Sequence, residues 1–178
     1  MTTAHEDSYK IIFAGPVGAG KTQAIQSLSD KPIVTTDEIA SDETKLLKKT
    51  TTVAMDYGVM KLETGEIVRL YGTPGQRRFD FMWEILSDKA LGLVLLVNAT
   101  DADPVQDMKD YMQNFLPLIK STTMVVGITH AEAMPWDLHQ RLTDELVQQG
   151  IPANVVPVDA RDKAQMAQLV SMLVYAII

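Results

Sequence analysis

Eight consecutive residues, Gly15, Pro16, Val17, Gly18, Ala19, Gly20, Lys21 and Thr22, spell GPVGAGKT. Two glycines separated by four residues and followed by Lys-Thr form the pattern of a phosphate-binding loop. The glycines let backbone N–H groups turn inward around phosphates without Cβ clashes. A helix starting at the end of the loop adds the positive end of its dipole. Lys21 supplies a point charge, and Thr22 offers a hydroxyl to Mg²⁺. The expected phosphate site is therefore Gly15, Val17, Gly18, Ala19, Gly20, Lys21 and Thr22, with Thr22 also on the metal.

Such a loop works only between a strand and a helix, and the flanking sequence has that form. Residues 9–14 (YKIIFA) read as a strand and residues 21–29 as a helix. The polar stretch 30–50 reads as a long surface loop. Residues 52–63 and 66–71 flank Thr64-Gly65, a two-residue turn with Gly where positive φ is needed, and predict one antiparallel hairpin. Residues 90–97, 123–128 and 154–158 are apolar throughout, as buried parallel strands are. Helices are expected over 78–89, 104–120, 135–149 and 162–176. Pro104 and Pro135 suit first-turn positions, Pro117 should bend or end its helix early, and Gly150 should end the fourth helix.

Strands alternating with helices predict an α/β fold with a mostly parallel sheet. The chain's 178 residues suit one domain spanning 1–178, with residues 1–8 a flexible N-terminus.

Composition narrows the function. With no cysteine, zinc-thiolate sites, disulfides and Cys nucleophiles are excluded. A net charge of −7 with no basic cluster beyond paired residues argues against nucleic acid. The N-terminus lacks a signal peptide's build, no apolar run approaches the ~20 residues of a membrane span, and no lipidation motif is present. The expectation is a cytoplasmic protein with no direct membrane anchor.

Among phosphate-loop proteins, a switch GTPase, a small-molecule kinase and an ATP-driven motor subunit are the alternatives. The segment from Leu70 to Phe79, LYGTPGQRRF, leaves the third long strand and enters a helix. Together with GPVGAGKT, TTTVAMDYG at 50–58 and GITHAE at 127–132, it makes the chain resemble the bacterial Ras-like small GTPases of the gliding-motility and conservon type, over about residues 8–175. A kinase usually closes several arginines over its substrates, and this chain has only Arg69, Arg77, Arg78, Arg141 and Arg161.

The resemblance implies a Ras-like three-layer α/β/α fold: a P-loop NTPase with a six-stranded, mostly parallel sheet and one antiparallel hairpin strand. It implies GTP/GDP and Mg²⁺ as ligands. Gly75 would donate to the γ-phosphate, and Gln76 would orient the attacking water. The metal-binding threonine of the first switch falls within Thr50–Thr52, with Thr52 favoured and Thr51 next. Thr129, His130 and Glu132 occupy the base-reading positions, and Ala160 and Arg161 the second base loop. A GTPase-activating or effector protein, of which a roadblock-type dimer is the leading candidate, is the implied partner.

Three departures stand out. Gly72 replaces the family's metal-associated Asp. Counting pairs back from the hairpin turn puts Asp56 opposite Thr73, one step from Gly72, so Asp56 is the expected substitute carboxylate. His130 and Glu132 replace the usual Lys and Asp of the base motif. Arg77 follows Gln76, where it could stabilise charge in cis or, as a solvent-facing residue, bind a partner. The reading is a slow GTP-hydrolysing switch. The alternatives are a non-hydrolysing or ATP-tolerant nucleotide-binding scaffold and, below them, a small P-loop kinase.

Overall fold

The computed structural model describes residues 8–35, 56–73 and 90–175. The elements are β1 (Ser8–Ala14), α1 (Lys21–Leu28), β2 (Val34–Thr35), β3 (Asp56–Lys61), β4 (Ile67–Gly72), β5 (Ala90–Asn98), α2 (Pro104–Asn114), α3 (Leu116–Ser121), β6 (Thr123–Thr129), α4 (Leu138–Gln149), β7 (Asn154–Pro157) and α5 (Lys163–Tyr175). The expected helix 78–89, residues 1–7 and the start of the expected second strand, 52–55, lie outside the described residues.

One sheet holds all the strands, in the order β2-β3-β4-β1-β5-β6-β7. The five strands from β4 to β7 in that order run parallel. β3 pairs antiparallel with β4, as expected. The two-residue β2 adds a seventh strand and a second antiparallel pair, Val34 opposite Tyr57 and Thr35 opposite Asp56. It corrects the start of the stretch read as a loop: the polar composition around it hid a two-residue bridge too short to show periodicity.

Period-two alternation along the central strands sends side chains to both faces. Ile12, Leu93, Leu95 and Val97 pack with Met108, Tyr111 and Phe115 of the α2 side and with Leu142 and Leu146 of α4. Ile11, Phe13, Val94 and Leu96 pack with Ile25 and Leu28 of α1 and with Met166, Leu169 and Leu173 of α5. Both faces are thus covered, giving three layers. No helix among the described residues is long and apolar enough to cross a membrane.

Local chemistry sets the helix ends. Asp103 caps α2 by accepting from the Gln106 N–H (3.1 Å), with Pro104 in the first turn. Pro117 divides the expected 104–120 helix: α2 stops at Asn114 and α3 begins at Leu116, with Pro117 in its first turn. Its ring would clash with the carbonyl four residues back, so one helix cannot continue through it. Gly150 ends α4 in the left-handed region at φ 71°. Pro135, expected in that helix's first turn, lies before it; a 3₁₀ turn at Ala131–Ala133 intervenes and α4 starts at Leu138.

The hairpin corrects the expected register by one residue. Leu62 N–H donates to Glu66 O and Gly65 N–H to Leu62 O, each at 2.9 Å. Three residues therefore form the loop, with Gly65 at φ 100° in the left-handed position that such loops require. The added loop residue moves Asp56 from opposite Thr73 to directly opposite Gly72.

Candidate nucleotide-binding site

The phosphate loop joins the C-terminal end of β1 to α1, at the place where the strand order departs in both directions from β1. Ligands of open α/β sheets bind at such switch points. Gly15 has φ 146°, and a Cβ there would lie 2.2 Å from the Leu96 carbonyl oxygen, so only glycine fits. Gly20 has φ 97°, and its Cβ would crowd that of Ala160 at 3.1 Å. The loop is pressed between β5 and the segment after β7.

Two polar side chains hold it there. Asn98, at the end of β5, donates from Nδ2 to Gly18 O (3.0 Å), while its Oδ1 accepts from the backbone and hydroxyl of Thr100. Thr129, at the end of β6, donates to Ala19 O (2.7 Å) and approaches Val97 O (3.2 Å). Asn98 escaped the sequence reading; its signal was a polar residue ending an otherwise apolar strand.

Lys21 folds back over the loop and donates to Gly15 O (2.5 Å) and Pro16 O (2.9 Å). Burial pushes its ammonium down to about 8, and the nearby Asp56 charge partly opposes that shift. A phosphate is the natural occupant for this cation, because it supplies the counter-charge that the carbonyls lack.

The Thr22 hydroxyl donates to Asp56 Oδ2. The two residues come from the first turn of α1 and the start of β3, 34 positions apart. A Cβ at Gly72 would sit 2.9 Å from Ile25 Cδ1, 3.4 Å from Asp56 Cβ and 3.7 Å from Asp56 Oδ2. Asp56 therefore fills the space that a carboxylate at position 72 would enter. A hydroxyl and a carboxylate beside a phosphate loop are the hard oxygen donors that Mg²⁺ takes, completed by waters and substrate phosphates. No cluster of three or more His, Cys, Asp or Glu suited to a metal occurs among the described residues.

Beyond Gly20 the site opens into a pocket of about 170 Å³. Gly20 and Gln23 line one side, Thr129, His130 and Glu132 the second, and residues 158–161 the third. That is smaller than the ~300–1,000 Å³ of pockets for whole drug-sized ligands, and suits one ring system. His130 sits in the left-handed region at φ 54° and leads into the 3₁₀ turn that carries the exposed Glu132. The Thr129 side chain, which lines the pocket, is buried and bonded to backbone, and it ties β6 to the phosphate loop.

Ala160 is buried beneath the pocket. Arg161 is exposed and paired with Asp159: Nε to Oδ1 and Nη2 to Oδ2, both 3.0 Å, with Arg161 N–H to Oδ1 at 2.9 Å. Asp159 was not among the expected site residues. Hydrogen bonds from the Arg161 side chain and backbone hold its carboxyl below the ordinary value, and the side-chain bond and charge of Asp159 hold Arg161 above its own. Thr52, Gly75, Gln76 and Arg77, with the alternatives Thr50 and Thr51, lie outside the described residues.

Residues 29–178 match the model of a family described as "Conserved hypothetical ATP binding protein". The chain belongs to that family. The match begins beyond the phosphate loop, whose assignment rests on its own sequence and geometry. An uncharacterized protein of Methanocaldococcus jannaschii, MJ1339, is 28% identical over 123 residues, 69% of each chain. Among solved structures, a bacterial selenocysteine-specific elongation factor, EF-Sec, superposes with a TM-score of 0.65 at 18% identity. The superposition covers 96% of this chain and 29% of that one, and at this identity it shows a shared fold alone. With the phosphate loop, these findings make this member of the ATP-binding family a nucleotide-binding P-loop protein.

Proposed function

We propose that this protein is a small nucleotide switch that binds GTP or GDP with Mg²⁺ and hydrolyses GTP slowly. The observation that carries the reading is the Thr22 hydroxyl donating to Asp56 directly across the ladder from Gly72. It brings together, from two different elements, a hydroxyl and a carboxylate that could serve a Mg²⁺-nucleotide beside the phosphate loop. Thr22 and Asp56 would hold the ion, Asp56 directly or through its hydration shell, and Thr52 would join them in the triphosphate state. The ion, when bound, would neutralise charge developing on the β- and γ-phosphate oxygens.

Lys21 would leave the two loop carbonyls for the phosphates. Gly75 would hold the γ-phosphate and Gln76 orient the water, by resemblance to Ras-like GTPases of the gliding-motility and conservon type. Arg77 would serve a partner rather than the developing charge, so unassisted turnover should be ~10⁻³ s⁻¹ or slower. A GTPase-activating or effector partner such as a roadblock-type dimer, and a cytoplasmic location, complete the proposal.

Guanine is the proposed base because Glu132 lines the pocket with no hydrogen bond or ion pair among the described residues. Its carboxylate can accept both N1–H and the exocyclic amine of guanine. The family's description favours a second reading, in which the same pocket takes adenine and the protein is an ATP-binding switch or non-hydrolysing scaffold. Competition of GTP and ATP for the Mg²⁺-loaded protein decides the base, and single-turnover hydrolysis decides the chemistry. Tighter ATP binding overturns the guanine assignment. No phosphate release from bound GTP, with Gln76→Leu indistinguishable from wild type, overturns the hydrolase.

A further inference from the structure

Four ionisable side chains surround the base pocket: His130 and Glu132 after β6, and Asp159 and Arg161 before α5. Arg161 is the single guanidinium among them and has two carboxylates within its influence, since Glu132 also raises its pKa. The structure commits it to one. Its Nε and Nη2 each meet a separate Asp159 oxygen at 3.0 Å, and its backbone N–H adds a third bond at 2.9 Å.

The loop that presents Asp159 is itself tied down. Gln165 Oε1 accepts from Asp159 N–H (2.9 Å), while Gln165 Nε2 donates to Asp162 Oδ2 (3.1 Å). Asp162 Oδ1 in turn accepts from the N–H groups of Ala164 and Gln165 at the start of α5. A bidentate Arg–carboxylate fork on a braced loop fixes the guanidinium's direction, which an exposed monodentate pair does not.

We propose that Asp159 is a positioning residue for nucleobase selection: it sequesters Arg161 so that Glu132 remains an open acceptor facing the pocket. Without Asp159, Arg161 turns to Glu132, the next carboxylate around the pocket, and occupies the oxygens that would read the base edge. Asp159 touches no base in this scheme and acts through Arg161. The inference rests on the proposed placement of the base in this pocket.

The test compares wild type, Asp159→Ala, Arg161→Ala and the double variant, each titrated by calorimetry with Mg²⁺-GTP, Mg²⁺-ATP and inorganic tripolyphosphate. Loss of hydrogen bonds to a charged acceptor at the base edge should compress the GTP:ATP affinity ratio of Asp159→Ala about tenfold or more. Removing Arg161 as well should restore the ratio, an effect that simple loosening of the loop does not produce. Tripolyphosphate binding should be equal in all four proteins.

An unchanged ratio in Asp159→Ala, or a double variant no more selective than the single, overturns the inference and leaves the nucleotide reading intact. Loss of tripolyphosphate binding in Asp159→Ala also overturns it, since the effect would then lie in the phosphate loop. A wild-type ratio near one overturns the guanine reading and this inference together.

Discussion

Asp56 stands directly opposite Gly72 across the antiparallel ladder, and its carboxylate receives the Thr22 hydroxyl from the neighbouring helix. A Cβ at Gly72 would lie 3.4 Å from Asp56 Cβ, so the glycine leaves room for that carboxylate. Asp56→Ala should lower nucleotide affinity about tenfold or more in Mg²⁺, as loss of a charged hydrogen-bonding partner does, and leave affinity in EDTA nearly unchanged. Fluorescent-nucleotide titration with and without Mg²⁺ checks this. Equal affinities for wild type and variant in Mg²⁺ would remove Asp56 from the metal site. Gly72→Asp in the wild-type background should weaken binding too, because the new side chain meets Ile25 Cδ1 and the existing carboxylate.

The same packing extends along β3. A Cβ at Gly58 would lie 2.7 Å from Ile25 Cγ2 and 3.0 Å from Ser29 Cβ, so α1 rests on a strand that must be bare there. Gly58→Val should destabilise the fold by roughly 1–3 kcal/mol through overpacking. Thermal unfolding should show a midpoint lowered by roughly 2–4 °C per kcal/mol in a chain of this size. A midpoint within error of wild type would mean that α1 can shift without penalty.

Thr129 both lines the pocket and bonds to the phosphate loop, and a single substitution separates the two roles. Thr129→Val keeps the shape and removes the hydroxyl that ties β6 to Ala19 O. Stability should fall by about 1–3 kcal/mol, the cost of breaking a buried hydrogen bond. GTP and ATP affinities should fall by the same factor, since the phosphate loop and not the base reader is disturbed. A changed GTP:ATP ratio would make Thr129 a base contact as well.

Lys21 sets a pH dependence with a definite sign. Its folded value of about 8 lies below the ordinary 10.5 because burial disfavours the cation. Between those values the unfolded chain binds more protons, so this group's contribution to nucleotide-free stability rises with pH. Below pH 8 the whole penalty is present, on the order of 3 kcal/mol at ~1.4 kcal/mol per pH unit. Urea denaturation of wild type and Lys21→Met should show the variant's relative advantage shrinking from pH 7 to pH 10. Phosphate needs the charged amine, so wild-type nucleotide affinity should weaken as pH rises past 8. An affinity that stays flat from pH 7 to 9.5 would place Lys21 away from the phosphates.

Much of this protein follows from local sequence. GPVGAGKT between an apolar strand and a helix announces the phosphate loop, because its function depends on backbone conformations that only glycine permits. The apolar runs at 90–97 and 123–128 announce buried strands, because a two-sided burial demands uninterrupted hydrophobicity. Pro117 and Gly150 end helices by their own stereochemistry. Each of these rests on contacts a few residues apart.

Pairing decided the rest. One additional residue in the hairpin loop moved Asp56 from opposite Thr73 to opposite Gly72, and a count along the chain cannot distinguish those registers. The Thr129 bond to Ala19 O spans 110 positions and is invisible in the sequence. Sequence singled out Glu132 and passed over Asp159, and only the folded pocket shows Arg161 joined to Asp159. Residue types therefore determined that a nucleotide phosphate binds here. The register that sets Asp56 against Gly72 and the pairing that joins Arg161 to Asp159 depended on packing between elements distant in the chain, where side-chain reach is set by the whole fold.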